Sequence, residues 1–169
     1  MGFVFDEHDA YRILRDSEDQ PDFNGKKVGH AIARHVNISK RKLNDRMYLE
    51  DATMEDLAIY TAFMSVRDQA KAVAAAFNSS DPRAEKLMNR FFHPDHADTR
   101  PGKPLKLEKV EVPVSSVRVA ANSDRTLTMG SSYVTVYFSK FPGRHRNMHI
   151  VTAFATFLGQ SHGNIVTLS

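Results

Sequence analysis

Two histidines five residues apart, His30 and His35, head the stretch VGHAIARHVNISKRKLNDRM, which turns strongly basic and closes near Arg46. Imidazole titrates near neutral pH, so such a residue can take or give a proton, or ligate a metal through a neutral nitrogen. The cations that follow suit an anion such as phosphate, and an arginine adds a planar fork that meets two oxygens in fixed geometry. Three chemistries therefore compete for the segment: a metal site, a packed helix and a phosphate-handling surface. On one continuous helix the two histidines would stand about 140° apart, which predicts separate faces and a structural His30 bonded to backbone.

The other histidines do not strengthen the metal reading. HPDHAD lacks His-x-x-x-His spacing and HRNMH has it without a credible helix to carry it, and Pro94 argues for a loop. With no cysteine in 169 residues, thiolate zinc sites and disulfides are both impossible. No glycine-rich phosphate loop is present, which excludes the usual nucleoside-triphosphatase chemistry. No metal or other cofactor is expected. A net charge of +3 is compatible with an anionic partner without demanding one, but its distribution is uneven. The first twenty residues are acidic, whereas Lys26 to Arg46 is basic.

Elements must position these groups. Asp9 to Arg15 predicts a short helix, broken by DSEDQPDFNG. Val28, Ile32 and Val36 recur at helical spacing, and Ser39 is a plausible N-cap for a second short helix carrying Leu43 and Met47. The capping pattern Thr53–Asp56 and the alanine-rich run after it predict one long helix to Phe77. Pro82 opens another over RAEKLMNRFF. After Lys106 the texture becomes period-two and β-branched in LKLEKVEVPVSSVRVA, TLTMGSSYVTVYF and HIVTAFATFL. Helices first and closely spaced strands afterwards predict an α+β fold with a twisted antiparallel sheet. Period two also puts Thr152, Phe154 and Ile150 on one face of the last strand and His149 with Val151 on the other. His149 then points away from Thr152 unless a bulge intervenes.

The motif Gly29, His30, His35, Val36, Ser39, Leu43 and Arg46 resembles the opening of the bacterial RNase A-like toxin domains. These domains end contact-dependent growth inhibition proteins and other polymorphic toxins. The resemblance continues through AKAVAAAFNSS to the strand HIVTAFAT, where Thr152 and Phe154 match a Thr-x-Tyr/Phe pattern. It covers Phe23 to the C-terminus, dividing the chain into an N-terminal extension, 1–22, and an RNase A-like toxin domain without disulfides, 23–169.

The resemblance implies a metal-independent endoribonuclease that cleaves RNA, tRNA among the possible targets, through the ribose 2′-OH. Its implied catalytic residues are His35, Arg46 and Thr152. Phe154 occupies a position where a tyrosine can stand, and phenylalanine has no proton to give. Phe154, Lys42, Tyr137 and His149 are candidate substrate contacts, and the general acid stays unassigned. The implied partners are the RNA substrate and a cognate immunity protein, the chain being otherwise monomeric. Nothing reads as a secretory signal or a membrane span. Delivery as part of a larger protein into a target-cell cytoplasm is therefore expected. The alternative is a non-catalytic RNA-binding or interaction domain of the same fold.

Overall fold

The computed structural model describes residues 5–36, 59–63, 65–93, 100–112, 117–121 and 131–158. In chain order the elements are α1 (Glu7–Ser17), α2 (Ala31–His35), β1 (Ile59–Phe63), α3 (Val66–Phe77), α4 (Pro82–Phe91), β2 (Leu105–Glu111), β3 (Val117–Ala121), β4 (Ser131–Lys140) and β5 (Met148–Leu158). The α+β reading holds, with helices followed by an antiparallel sheet ordered β2-β4-β5. A separate two-stranded antiparallel ladder joins β1 to β3.

Local chemistry sets the helix boundaries. At the start of α1, Asp6 accepts from the Asp9 amide at 2.7 Å while Asp9 accepts from the Asp6 amide at 3.1 Å, a reciprocal capping box. Pro82 opens α4 behind the Asp81 cap. The long helix expected from Thr53 is instead divided. Ile59–Phe63, carrying β-branched and aromatic residues, pairs with β3 as a strand. The helix begins only after Ser65, whose hydroxyl accepts from the Asp68 amide. The expected cap at Thr53–Asp56 and the helix after Ser39 lie outside the described residues.

One apolar core joins these elements. Phe138 of β4 meets Phe77 edge-on at 5.2 Å and Phe91 at 5.5 Å, while Phe77 meets Phe5 at 4.9 Å. Helix α1, within the stretch read as an extension, contributes Ala10, Ile13 and Leu14 to the same core.

The pairing of β4 with β5 contains one irregularity. Tyr137 faces Thr152, but Phe138 faces Ile150, so Val151 is an extra residue on β5. This β-bulge exchanges the faces of the residues on either side of it. Ile150, expected beside Thr152, instead lies in the core with Phe138. His149 pairs with Ser139 and comes onto the face of Tyr137 and Thr152.

Candidate functional site

The bulge also docks the histidine motif. The carbonyl of Val151 accepts from the His30 amide at 2.8 Å. The preceding residue must be glycine, since a Cβ on Gly29 would collide with the Ser17 carbonyl and lie 3.1 Å from that of Ile150. His30 is therefore the cap of α2 and not a residue within a helix begun at Val28. Its side chain makes no cap bond. The Glu18 carboxylate instead accepts from the amides of Ile32 and Ala33 at 2.9 and 2.8 Å, placing negative charge at the helix's positive end. From below, the buried Gln69 amide donates to the carbonyls of Ala31 and Ala153 at 2.9 and 3.0 Å, tying α2 to β5.

These ties converge the rings that helical spacing would separate. The His30 and His35 centroids are 6.4 Å apart. The His35 ring lies 5.5 Å from Phe154, and Phe154 stacks on Tyr137 at 6.4 Å. Lys106, opposite Tyr137 in the ladder, holds its Nζ 5.1 Å from the Tyr137 ring. Its pKa is raised, first by a hydrogen bond with Tyr137 and then by one with Glu108. His30 Nδ1 lies 3.3 Å from the Val28 carbonyl.

Beside this row opens a cleft of about 210 Å³, lined in part by Lys27, His30, Tyr137, Ser139 and Thr152. The Thr152 hydroxyl is buried without a hydrogen-bond partner among the described residues, and so is that of Ser139. Buried hydroxyls are seldom left unpaired, and two in one cleft are suited to receiving a polar group. The structure thus brings His35, Phe154, Tyr137 and Thr152 into one neighbourhood, while Arg46 and Lys42 lie outside the described residues. Sequence reading missed His30, Ser139 and Lys106 as members. The available signal for Ser139 was the run of hydroxyl-bearing residues at every second position, Tyr133, Thr135, Tyr137 and Ser139.

His149 shares the face but not the access. It is fully buried, with Nδ1 2.6 Å from the Arg144 guanidinium and Nε2 3.3 Å from the Lys27 carbonyl. This suits a neutral ring that accepts from Arg144 and donates from Nε2. Arg144 also lies 3.8 Å over the Phe141 ring and donates to the Pro21 carbonyl. His149 therefore fastens the loop that carries Lys27, and no nitrogen is left for substrate. Burial, and next the charge of Arg144, push its pKa below the ordinary histidine value.

A base whose pKa falls on folding contributes stability above its unfolded value, about 6.5, and loses it as pH drops through and below that value. Between pH 7.5 and pH 5.5 the melting temperature of the parent chain should therefore fall. His149→Gln, which can still accept from Arg144 and donate to Lys27, should show a smaller fall. An equal fall in both proteins would refute this account.

His145 and Asp9 form a second, separate cluster. Asp9 accepts from His145 at 2.7 Å and from Arg146 at 3.1 Å. Burial raises its pKa, but hydrogen bonds from Arg146, the Asp6 amide and His145 outweigh that effect and hold it well below the carboxylate range. The two histidines of HRNMH are thus engaged with different partners.

No protein-family model matches the chain, and no curated protein matches it in sequence. Among solved structures, a chain of the CdiA-CT/CdiI complex from Y. kristensenii 33638 is similar, at 14% identity and a TM-score of 0.49. The match covers 76% of this chain and 99% of that one. A likeness at that level fixes neither fold nor activity.

Proposed function

We propose that the chain is an endoribonuclease that needs no metal and uses the ribose 2′-OH of its substrate as the nucleophile. The observation that carries this reading is the unpartnered, buried Thr152 hydroxyl, in a cleft bearing Lys27 and His30, beside the His35–Phe154 ring pair. The motif resemblance supports it independently.

In this reading neutral His35 takes the 2′-OH proton. The 2′ oxygen bonds to the adjacent phosphorus, the bond to the 5′ oxygen breaks, and the products are a 2′,3′-cyclic phosphate and a 5′-hydroxyl end. Thr152 donates to a phosphoryl oxygen, where charge accumulates in the transition state. Arg46 pairs with the same group through its fork. His30, close to His35 and lining the cleft, is the histidine best situated to protonate the leaving oxygen. Phe154 holds the His35 ring and offers a face for stacking. Because the nucleophile belongs to the substrate, alignment supplies much of the rate.

The biological setting follows from the motif resemblance: a toxin delivered as part of a larger protein into a target bacterium, with an acidic immunity protein covering the cleft and the basic segment from Lys26 to Arg46 in the producing cell. Among the described residues no helix is long and apolar enough to cross a membrane. Incubation with total RNA in EDTA tests the activity. Cleavage leaving 2′,3′-cyclic ends is expected. Abolition by EDTA, with linear phosphate ends appearing first, would overturn the mechanism, since metal-activated water forms no cyclic product. RNA binding without cleavage would instead establish the non-catalytic alternative, which the missing Phe154 hydroxyl favours.

A further inference from the structure

We propose that Ser139 reads the base of the nucleotide held in this cleft. The inference rests on the ribonuclease reading for its substrate and on separate observations for its site. Ser139 is only 2% exposed, yet its hydroxyl has no hydrogen-bond partner among the described residues, and the residue lines the cleft. Its cross-strand neighbour is His149, whose two nitrogens are already directed to Arg144 and Lys27. That ring therefore does not satisfy the hydroxyl. Ser139 sits two residues along β4 from Tyr137, the cross-strand partner of Thr152, on the side away from the Phe154–His35 pair. A nucleotide whose phosphate lies near Thr152 and His35 would direct its base toward Ser139.

The surroundings select the chemical class. Pro104, Leu105, Tyr137 and Val151 give the cleft apolar and flat walls, with Lys27, His30 and the Asp22 carboxylate supplying charged or titratable groups. A phosphate requires several charged or strongly polar donors and is repelled by a carboxylate, whereas the Ser139 hydroxyl, in a cleft with apolar walls and the Asp22 carboxylate, suits a planar group with a polar edge. A nucleobase has that form: a face that packs against side chains and an edge that hydrogen-bonds. Serine can donate or accept, so a base that presents a polar atom at this position satisfies it, whereas one that presents a C–H there does not. Leaving such a site unfilled, or filling it with a base of unsuitable edge, strands the buried hydroxyl, and this difference between ligands produces selectivity.

The test titrates the parent chain and Ser139→Ala with the four ribonucleoside 3′-monophosphates and with ribose 5-phosphate, followed by calorimetry. At least one nucleotide should bind the parent roughly tenfold tighter than ribose 5-phosphate, and Ser139→Ala should lose most of that advantage. In cleavage of dinucleotides differing in base, the preference ratio should shrink by a similar factor. Thermal melting should be unchanged or higher in the variant, since deleting an unpaired buried hydroxyl removes a penalty from the fold. Nucleotide binding that depends on Ser139 in a chain that cleaves nothing would keep this subsite and discard the ribonuclease reading. Cleavage with the same base preference in parent and variant would do the reverse. Equal affinity for nucleotides and ribose 5-phosphate, or a lowered melting temperature with uniform loss of every ligand, would overturn the assignment.

Discussion

Replacing His35 with alanine should lower RNA cleavage by roughly 10²- to 10⁴-fold, the usual contribution of a positioned general base. The fold should survive the change. The ring sits at the end of a five-residue helix held through backbone groups by Glu18, Gln69 and the Val151 carbonyl, none of which involves the imidazole. The local losses include the ring contacts with Phe154 at 5.5 Å and with His30 at 6.4 Å. Far-ultraviolet circular dichroism and a thermal melt establish that the variant is folded, and cleavage is then compared at equal concentration. A folded His35→Ala protein that cuts RNA at the parent rate would remove His35 from the mechanism.

The largest effect on stability is expected at Phe138. This ring is 1% exposed and is touched by Phe77 and Phe91 from two different helices. Truncation to alanine removes the apolar area and also leaves a cavity that three separate elements would have to move to fill. Large aromatic-to-alanine changes of this kind cost about 3–5 kcal/mol, a large share of the roughly 5–15 kcal/mol that holds a typical domain folded. Denaturant unfolding should show a midpoint shifted strongly downward, if the variant folds at all. A loss below about 1 kcal/mol would mean that the aromatic cluster is not the centre of the core.

Much of the fold was legible because its signals are local. Pro82 at a helix start acts through neighbouring backbone groups, while the period-two, β-branched texture after Lys106 marks β2, β4 and β5 as strands. The failures have non-local causes. Ile59–Phe63 adjoins an alanine-rich run and reads as part of its helix, but its conformation is set by pairing with β3, more than fifty residues away. Val28, Ile32 and Val36 have helical spacing, yet Val28 is 49% exposed and belongs to an extended segment. The Gly29–His30 attachment to β5 overrides the periodicity. For the candidate site, residue types near His35 suggested the chemistry, whereas the membership of His30, Ser139 and Lys106 depends on tertiary contacts. No sequence period reveals which of two paired strands carries an additional residue.

That additional residue, Val151, makes β5 a strand of two phases. Side chains counted backward from Phe154 and forward from Met148 give opposite answers about which ones meet, because the count slips between Thr152 and Ile150. A homologous strand one residue shorter, aligned without a gap at this point, would equate His149 with a core position and Ile150 with an outward one. The slip is also coupled to a distant part of the chain: the carbonyl at the irregularity is gripped by the His30 amide, and that grip requires the glycine before it. Val151 and the Gly29–His30 turn are thus a single unit of inheritance, to be gained, lost or transplanted together.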